Sequence, residues 1–257
     1  MSGTTEARID RELRQLWNLV EDCVVPRLGL RPVALPPPLA LASGLLEGNV
    51  LTLRTQRYGG AGGAALTLAA IATAKRQLCT LTVLGIPPLG VGWPVLGIDL
   101  IALRGTLALV AVDLAPLDPA FWQRRCAPLL QALRTHTQDA LVPRKRPAFT
   151  VETFSPLAVI GAARAGGEAT VCAAIAQLLK ETSMLLGGEP ASAPSPSAWG
   201  ARASWLAAEK QNRKEHDALS RIFGPRFAAY YLDEFLFVPP ENWSADAPSL
   251  EGGSDAY

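Results

Sequence analysis

The chain has 257 residues, 49% hydrophobic and 18% charged: enough apolar material for a full core, and a composition that excludes a disordered chain. Lys and Arg number 24 against 23 Asp and Glu, a formal net charge of +1, so no nucleic acid or other bulk polyanion is the expected partner. The four cysteines (Cys23, Cys79, Cys126, Cys172) and two histidines (His136, His216) are far apart. That spacing argues against a metal or iron–sulfur site built from sequence-local ligands and suits thiols in a reducing compartment.

The N-terminus mixes acids and arginines (Glu6, Arg8, Asp10, Arg11) without the basic-then-apolar order of a signal peptide. No apolar run reaches the roughly 18 residues of a membrane span; Ala61 to Ala74 comes nearest. The expectation is a soluble, cytoplasmic monomer without membrane insertion. Residues 5–25 predict a helix, with Ile9, Leu13, Leu16, Val20 and Val24 on one side and Arg8, Arg11, Glu12 and Arg14 on the other. Pro26 is expected to end it, and residues 26–48, with VALPPPLAL, read as an irregular or extended arm.

From Asn49 the pattern turns β-like: NVLTLRT, AALTLAA, QLCTLTVLG, VLGIDLIAL and TLALVAVDL, separated by GGAGG, GIPPLGVGWP and RG. Short links favour antiparallel pairing, and Arg104–Gly105 reads as a hairpin turn. Pro119 to Gln138 predicts a helix, VPRKRP a basic loop, and TFSPLAVIG a final strand. Residues 167–187 predict another helix, ASAPSPSAWG a loop, and 201–222 one long helix closed by Gly224 and Pro225. RFAAYYLDEFLF adds a last helical segment, and residues 241–257 form a polar tail. The order predicts an α+β fold: one domain over residues 1–240, with a sheet region at 49–160 and C-terminal helices at 167–237. It is a three-layer α/β/α sandwich with a central antiparallel sheet.

GGAGG lacks the spacing and the lysine of a phosphate loop, and no G-x-S-x-G elbow, HExxH or EF-hand loop is present. The informative residue is Asp99. Strand alternation sets Gly97, Asp99 and Ile101 on one face and Ile98, Leu100 and Ala102 on the other. A buried, unpaired carboxylate costs several kcal/mol, so such a group pairs or holds a proton. Two readings stay open from the residues themselves: a general acid, or a structural acid bonded to an arginine or to backbone amides.

The block WPVLGIDLIALRGTLALVAVDLAPLDP, through Pro94, Gly97, Asp99, Asp113 and Pro116, resembles the ferredoxin-dependent bilin reductases. So does EKQNRKEHDALSRIFGPRFAAYYLDEFLF, through Gln211, Asn212, Leu219, Phe223, Gly224, Tyr231, Leu236 and Phe237, and FSPLAVI is similar to the family's central strand. The resemblance spans about residues 45–240 and implies an α/β/α sandwich. It also implies reduction of biliverdin or a related linear tetrapyrrole, with electrons taken singly from reduced ferredoxin and no bound cofactor or metal. Asp99 then takes the place of the family's proton donor, and Asn212 that of a second polar group on the C-terminal helix. Arg213 stands where the family often has Asp, and is expected at a ligand propionate; Thr82, Trp93 and Ile101 are the other residues expected to contact the ligand. Arg144, Lys145 and Arg146, with Lys210 and Lys214, form basic clusters suited to an acidic ferredoxin. Tyr58 and Trp205 are aromatics suited to stacking or to the core. The phycocyanobilin-forming members carry a His and a Glu in the strands before the aspartate; QLCTLTVLGIPPLGVGWP has neither. An alternative is therefore a non-catalytic tetrapyrrole-binding carrier or assembly protein of the same fold.

Overall fold

Short apolar runs broken by tight turns pair with their chain neighbours, and in this protein that rule builds most of one sheet. The structure, a computed structural model, describes residues 2–146, 153–188 and 196–243. The strands are β1 (Arg31–Val33), β2 (Leu41–Leu46), β3 (Asn49–Gly59), β4 (Ala65–Thr73), β5 (Leu78–Ile86), β6 (Val95–Leu103), β7 (Thr106–Ala115), β8 (Leu141–Pro143) and β9 (Val159–Ala163). They form one sheet in the order β1-β3-β4-β5-β6-β7-β9-β8, with β2 also paired to β3, and every pairing is antiparallel.

Helices cover both faces, as the α/β/α expectation requires. On one side lie α1 (Ser2–Leu19), α3 (Ala127–Thr137) and α4 (Glu168–Gly188), packed on Leu66, Leu81, Ile98, Leu100, Val110 and Val112. On the other lie α5 (Pro196–Lys210), α6 (Arg213–Phe223) and α7 (Pro225–Ala229, continuing as a π-helical turn over Tyr230–Leu236). These pack on Leu53, Ala69, Leu84, Val95 and Ala115. Helix α4 is long and apolar enough to cross a membrane by composition. Val171, Cys172, Ile175, Leu178 and Leu179 account for much of that apolarity, and all are buried in the first core.

Several local expectations are corrected. Pro26 does not end the first helix; a π turn (Val20–Val24) precedes it and Val25–Arg27 stays helical. The Val25 N–H bonds back to the Val20 carbonyl, five residues away, and this wider turn accommodates the proline ring. The same device recurs before Pro128, where the Ala127 N–H reaches the Trp122 carbonyl. Of the two readings of the 26–48 arm, the extended one holds for β1 and β2, with the short helix α2 (Pro37–Ala40) between them. The β2–β3 turn, Glu47–Gly48, has φ of 49° and 75°, the pair of positive values that a two-residue hairpin needs. Arg104–Gly105 repeats it with 49° and 84°, as predicted.

TFSPLAVIG yields only the short β9, with turns before it, and β8 joins its outer edge. ASAPSPSAWG is helical from Pro196, whose missing N–H costs nothing in a first turn; residues 189–195 lie outside the described residues. The long helix expected over 201–222 is two helices, broken at Gln211–Asn212. The segment Glu241–Trp243, expected in a polar tail, packs on the body. Glu241 pairs with Arg202 and stands over Gly63 in the GGAGG turn, while Trp243 packs on Phe235.

The hairpin β2–β3 closes against the end of α6. A Cβ at Gly44 would come within 2.2 Å of the Ile222 carbonyl oxygen and 2.7 Å of a Phe223 ring carbon. Gly44→Ala is therefore expected to push the hairpin off α6 and to cost about 1–3 kcal/mol in a denaturant titration. An unchanged midpoint would show that the contact yields freely.

Candidate functional site

The face of the sheet toward α5 and α6 is not filled at its centre. Alternation leaves Thr80 and Thr82 of β5, Gly97, Asp99 and Ile101 of β6, and Leu109 and Ala111 of β7 partly accessible, while the intervening β6 residues Ile98, Leu100 and Ala102 are buried on the other side. These positions form the floor of a cavity of about 540 Å³, roofed by Trp205, Glu209, Asn212, Glu215, Leu219 and Ile222. Its wall is mostly apolar with a few convergent polar groups, and its volume lies in the roughly 300–1,000 Å³ range of small-molecule sites.

Asp99 sits in the middle of the floor. It is paired in register with Thr82, whose hydroxyl donates to Asp99 Oδ1 at 2.7 Å. Burial raises the Asp99 pKa above the ordinary carboxylate range, and the Thr82 bond opposes that in part. The bond that holds it comes from the Thr82 hydroxyl rather than from an arginine.

Asp113 is the second acid on the floor, opposite Gly97 in register. It accepts from the Ser155 N–H at 2.6 Å and the Ser155 hydroxyl at 2.5 Å, which ties the segment before β9 to the cavity wall. Burial raises its pKa and the two Ser155 bonds hold it back. Gly97 faces open space: an added Cβ would meet nothing within 4 Å. Gly97→Leu is expected to fold normally and fill part of the cavity, weakening ligand affinity at least tenfold in an absorbance titration. An unaltered affinity would place the ligand elsewhere.

The helix break supplies what the strands lack. Asn212 caps α6 with φ −71° and ψ 85°, and Glu215 stands three residues on, the spacing of a capping box. Yet the Asn212 side chain makes no capping bond, and its buried Oδ1 has no hydrogen-bond partner. Leaving an N-cap unused forgoes about 1 kcal/mol. Asn212 and Glu215 both line the cavity instead. Glu209, on the last turn of α5, is 7% exposed and its Oε1 is also unpartnered. The Thr153 hydroxyl, likewise buried and unpartnered, approaches Glu209 without closing a bond.

Burial, reinforced by the Asp99 charge and offset in part by Thr153, moves the Glu209 pKa up to about 7. Burial together with the Asp99 and Glu209 charges moves Glu215 up to about 8. Three carboxyl groups thus share one low-dielectric space and titrate as a set. Sequence reading passed over Glu209 and Glu215, although EKQNRKE contains both. The missed signal was Asn followed three residues later by Glu, which marks a helix start inside what read as a continuous helix.

Of the residues expected to act together, Asp99, Thr82, Ile101 and Asn212 all line the cavity. Arg213 is exposed and Trp93 half-buried, and neither is in the lining. Lys214, expected on the ferredoxin side, is in it. Arg146 is half-buried and donates to the Ser155 carbonyl, while Arg144 and Lys145 are exposed next to it. The Arg144 N–H bonds to the carbonyl of Ile160, a cavity residue, so this cluster stands at the cavity's edge as Lys210 and Lys214 do beside Asn212. Trp205 lines the cavity, with its indole N–H on the Thr153 carbonyl at 2.9 Å. Tyr58 faces the other core, donating to Glu21 at 2.7 Å. Among the described residues no group of three or more His, Cys, Asp or Glu is arranged to hold a metal.

Comparison with known proteins gives the family and the fold. Residues 18–238 match the family model described as ferredoxin-dependent bilin reductase. Phycocyanobilin:ferredoxin oxidoreductase of Trichodesmium erythraeum (strain IMS101) is 28% identical over 234 residues, covering 88% of this chain and 92% of that protein. The fold is that of phytochromobilin synthase from tomato, solved in complex with biliverdin: TM-score 0.70, 14% identity, 87% of this chain and 82% of that one.

Proposed function

The chain belongs to the ferredoxin-dependent bilin reductase family, an oxidoreductase family, and from that premise we propose that it reduces biliverdin or a closely related linear tetrapyrrole. Electrons arrive one at a time from reduced ferredoxin, and Asp99 delivers a proton to the bound ligand. The observation that carries this reading is the position of Asp99. It is a carboxyl group with a raised pKa, bonded by the Thr82 hydroxyl, at the centre of a mostly apolar cavity of about 540 Å³. A group that keeps its proton near neutral pH and faces a pocket is equipped to be a general acid.

The remaining parts follow from chemistry on the page. Trp205, Leu219, Ile222 and the β-strand aliphatics supply flat apolar contact for pyrrole rings. Lys214 provides a cation for a propionate at the cavity wall. Asn212, with its buried and unsatisfied carbonyl oxygen, accepts a hydrogen bond from a ligand N–H, which orients the tetrapyrrole against Asp99. Arg144, Lys145, Lys210 and Lys214 flank the cavity and form the docking side for an acidic electron donor.

The test is an anaerobic mixing experiment. Biliverdin is added to the protein, its visible spectrum recorded, and reduced ferredoxin supplied. The expected result is a shifted bound spectrum that bleaches and yields a new bilin by chromatography. A bound spectrum that persists under electron supply overturns the reductase reading, and no shift on mixing overturns biliverdin as ligand. Charge reversal on the rim, Arg144→Glu with Lys145→Glu, is expected to raise the KM for ferredoxin about tenfold at low salt while leaving biliverdin affinity unchanged. Equal KM values would place the donor on another face.

A further inference from the structure

The break between α5 and α6 sets two glutamates over a cavity whose floor already has an acid, and the bilin reductase reading gives Asp99 only one proton to deliver. We propose that Glu215, backed by Glu209, is a second proton donor to the ligand, approaching it from the helix side while Asp99 approaches from the sheet. This rests on the reading above and deepens it.

The stoichiometry of the reaction requires a second proton, and a second donor supplies it without Asp99 being reprotonated between the two electron transfers. Reducing one C=C bond to HC–CH consumes two electrons, supplied by two reduced ferredoxins, and two protons. Asp99 gives one proton and is left as carboxylate. Glu215 gives the other and is left as carboxylate, and both are reprotonated through solvent before the next cycle. In the strands β4 and β5 that lead to Asp99 there is no Asp, Glu or His to do this.

The geometry is specific to the helix side. Glu209 and Asn212 sit at the end of α5 and the cap of α6, and Glu215 one turn on. Helix-start residues ordinarily bond back to their own backbone; here Asn212 and Glu215 line the cavity instead, beside Glu209 from the end of α5. Independent of the glutamates, the Thr153 hydroxyl and the Asn212 carbonyl oxygen are buried in the same wall without partners. Buried polar atoms left unsatisfied by the protein are a place for ligand atoms. Charges also set the order of events. Once Asp99 is ionised, its negative charge strengthens the hold of Glu209 and Glu215 on their protons. The second proton therefore stays on the helix pair until the reduced ligand takes it.

The titratable groups whose charges reach Glu215 are Asp99 of β6, Glu209 of α5 and Tyr231 of the last helical turn, and Asp113 of β7 and Lys214 of α6 line the same cavity. Tyr231 is bonded to Thr55 at 3.0 Å, with Arg57 nearby. Burial holds the Tyr231 pKa well above the ordinary phenol range, so it does not titrate in the window that matters.

The decisive experiment is single turnover of the full chain with biliverdin and reduced ferredoxin, comparing wild type, Glu215→Gln, Glu215→Asp and Glu209→Gln by absorbance and electron paramagnetic resonance. Glu215→Gln is expected to bind biliverdin as wild type does, take up one electron and accumulate a ligand radical. Product formation should slow about a hundredfold, at the low end of general-acid effects. The alkaline fall of the wild-type rate, centred near pH 8, should be absent from its profile. Glu215→Asp should recover part of the rate, and Glu209→Gln should slow reprotonation between successive turnovers. A Glu215→Gln protein that turns over at the wild-type rate with the same alkaline limb overturns this inference and leaves the reductase reading standing. Wild-type protein that fails to reduce biliverdin overturns both.

Discussion

Replacing Asp99 by Asn is expected to lower the rate of bilin reduction by about 10²–10⁴-fold while leaving the protein folded and able to bind biliverdin. Asn has the shape of Asp and keeps a carbonyl oxygen, so the 2.7 Å bond from the Thr82 hydroxyl survives. What is lost is the acidic proton. The apolar surroundings that raise the Asp99 pKa also make its ionised form costly. Asp99→Asn is therefore expected to be at least as stable as wild type at pH 8, which separates a chemical defect from a folding defect. The measurement is anaerobic turnover with chromatography of products, beside a thermal melt. A variant with unchanged rate and product would remove Asp99 from the mechanism; a variant that fails to fold would mean that the carboxylate holds the sheet together.

The second large effect is on stability against pH. Glu209 and Glu215 have pKa values near 7 and 8 in the folded protein and near 4.5 when free. Between those limits the folded state binds more protons than the unfolded state, so stability falls as pH rises. It is fully present below about pH 4.5 and lost as pH passes 7 and then 8. For Glu209 alone the shift corresponds to about 3 kcal/mol, on the order of 6–12 °C in Tm for a chain of this size. Glu215 acts in the same direction, less than additively because the two carboxyls share one space. Ligand-free protein is expected to melt progressively lower from pH 5 to 8.5, and the double variant Glu209→Gln, Glu215→Gln to melt higher at pH 8.5 with a shallower dependence. Parallel curves for the two proteins would show that these carboxyls are solvated in solution.

The site thus combines a stability cost with a chemical use. Replacing its acids by amides is expected to stabilise the ligand-free fold and slow the reaction, the trade typical of groups kept in an unfavourable environment for function. The unused capping bond at Asn212 fits the same pattern.

What the chain determined by itself was largely local. Period-two alternation around Asp99, Gly-containing turns and short links were enough to predict β3 to β7, their antiparallel pairing and the face on which Asp99 lies, because each depends on residues within one or two turns of each other. The resemblance, resting on Pro94, Gly97, Asp99, Asp113 and Asn212, pointed to the family. Tertiary structure decided the rest. Periodicity distinguishes an inward face from an outward one, but the residues over a cavity and those over a filled core obey the same period. Glu209 and Glu215 therefore looked like the polar side of one surface helix until the break at Asn212 turned them toward Asp99. The strand β2 depends on a glycine fitting under α6, and β8 on the outer edge of β9, contacts between segments far apart in the chain. Which cation lines the cavity, Lys214 and not Arg213, is a matter of about 100° of rotation around one helix axis. That rotation is set by how Leu219 and Phe223 pack against the other helices and the sheet, which no local pattern records.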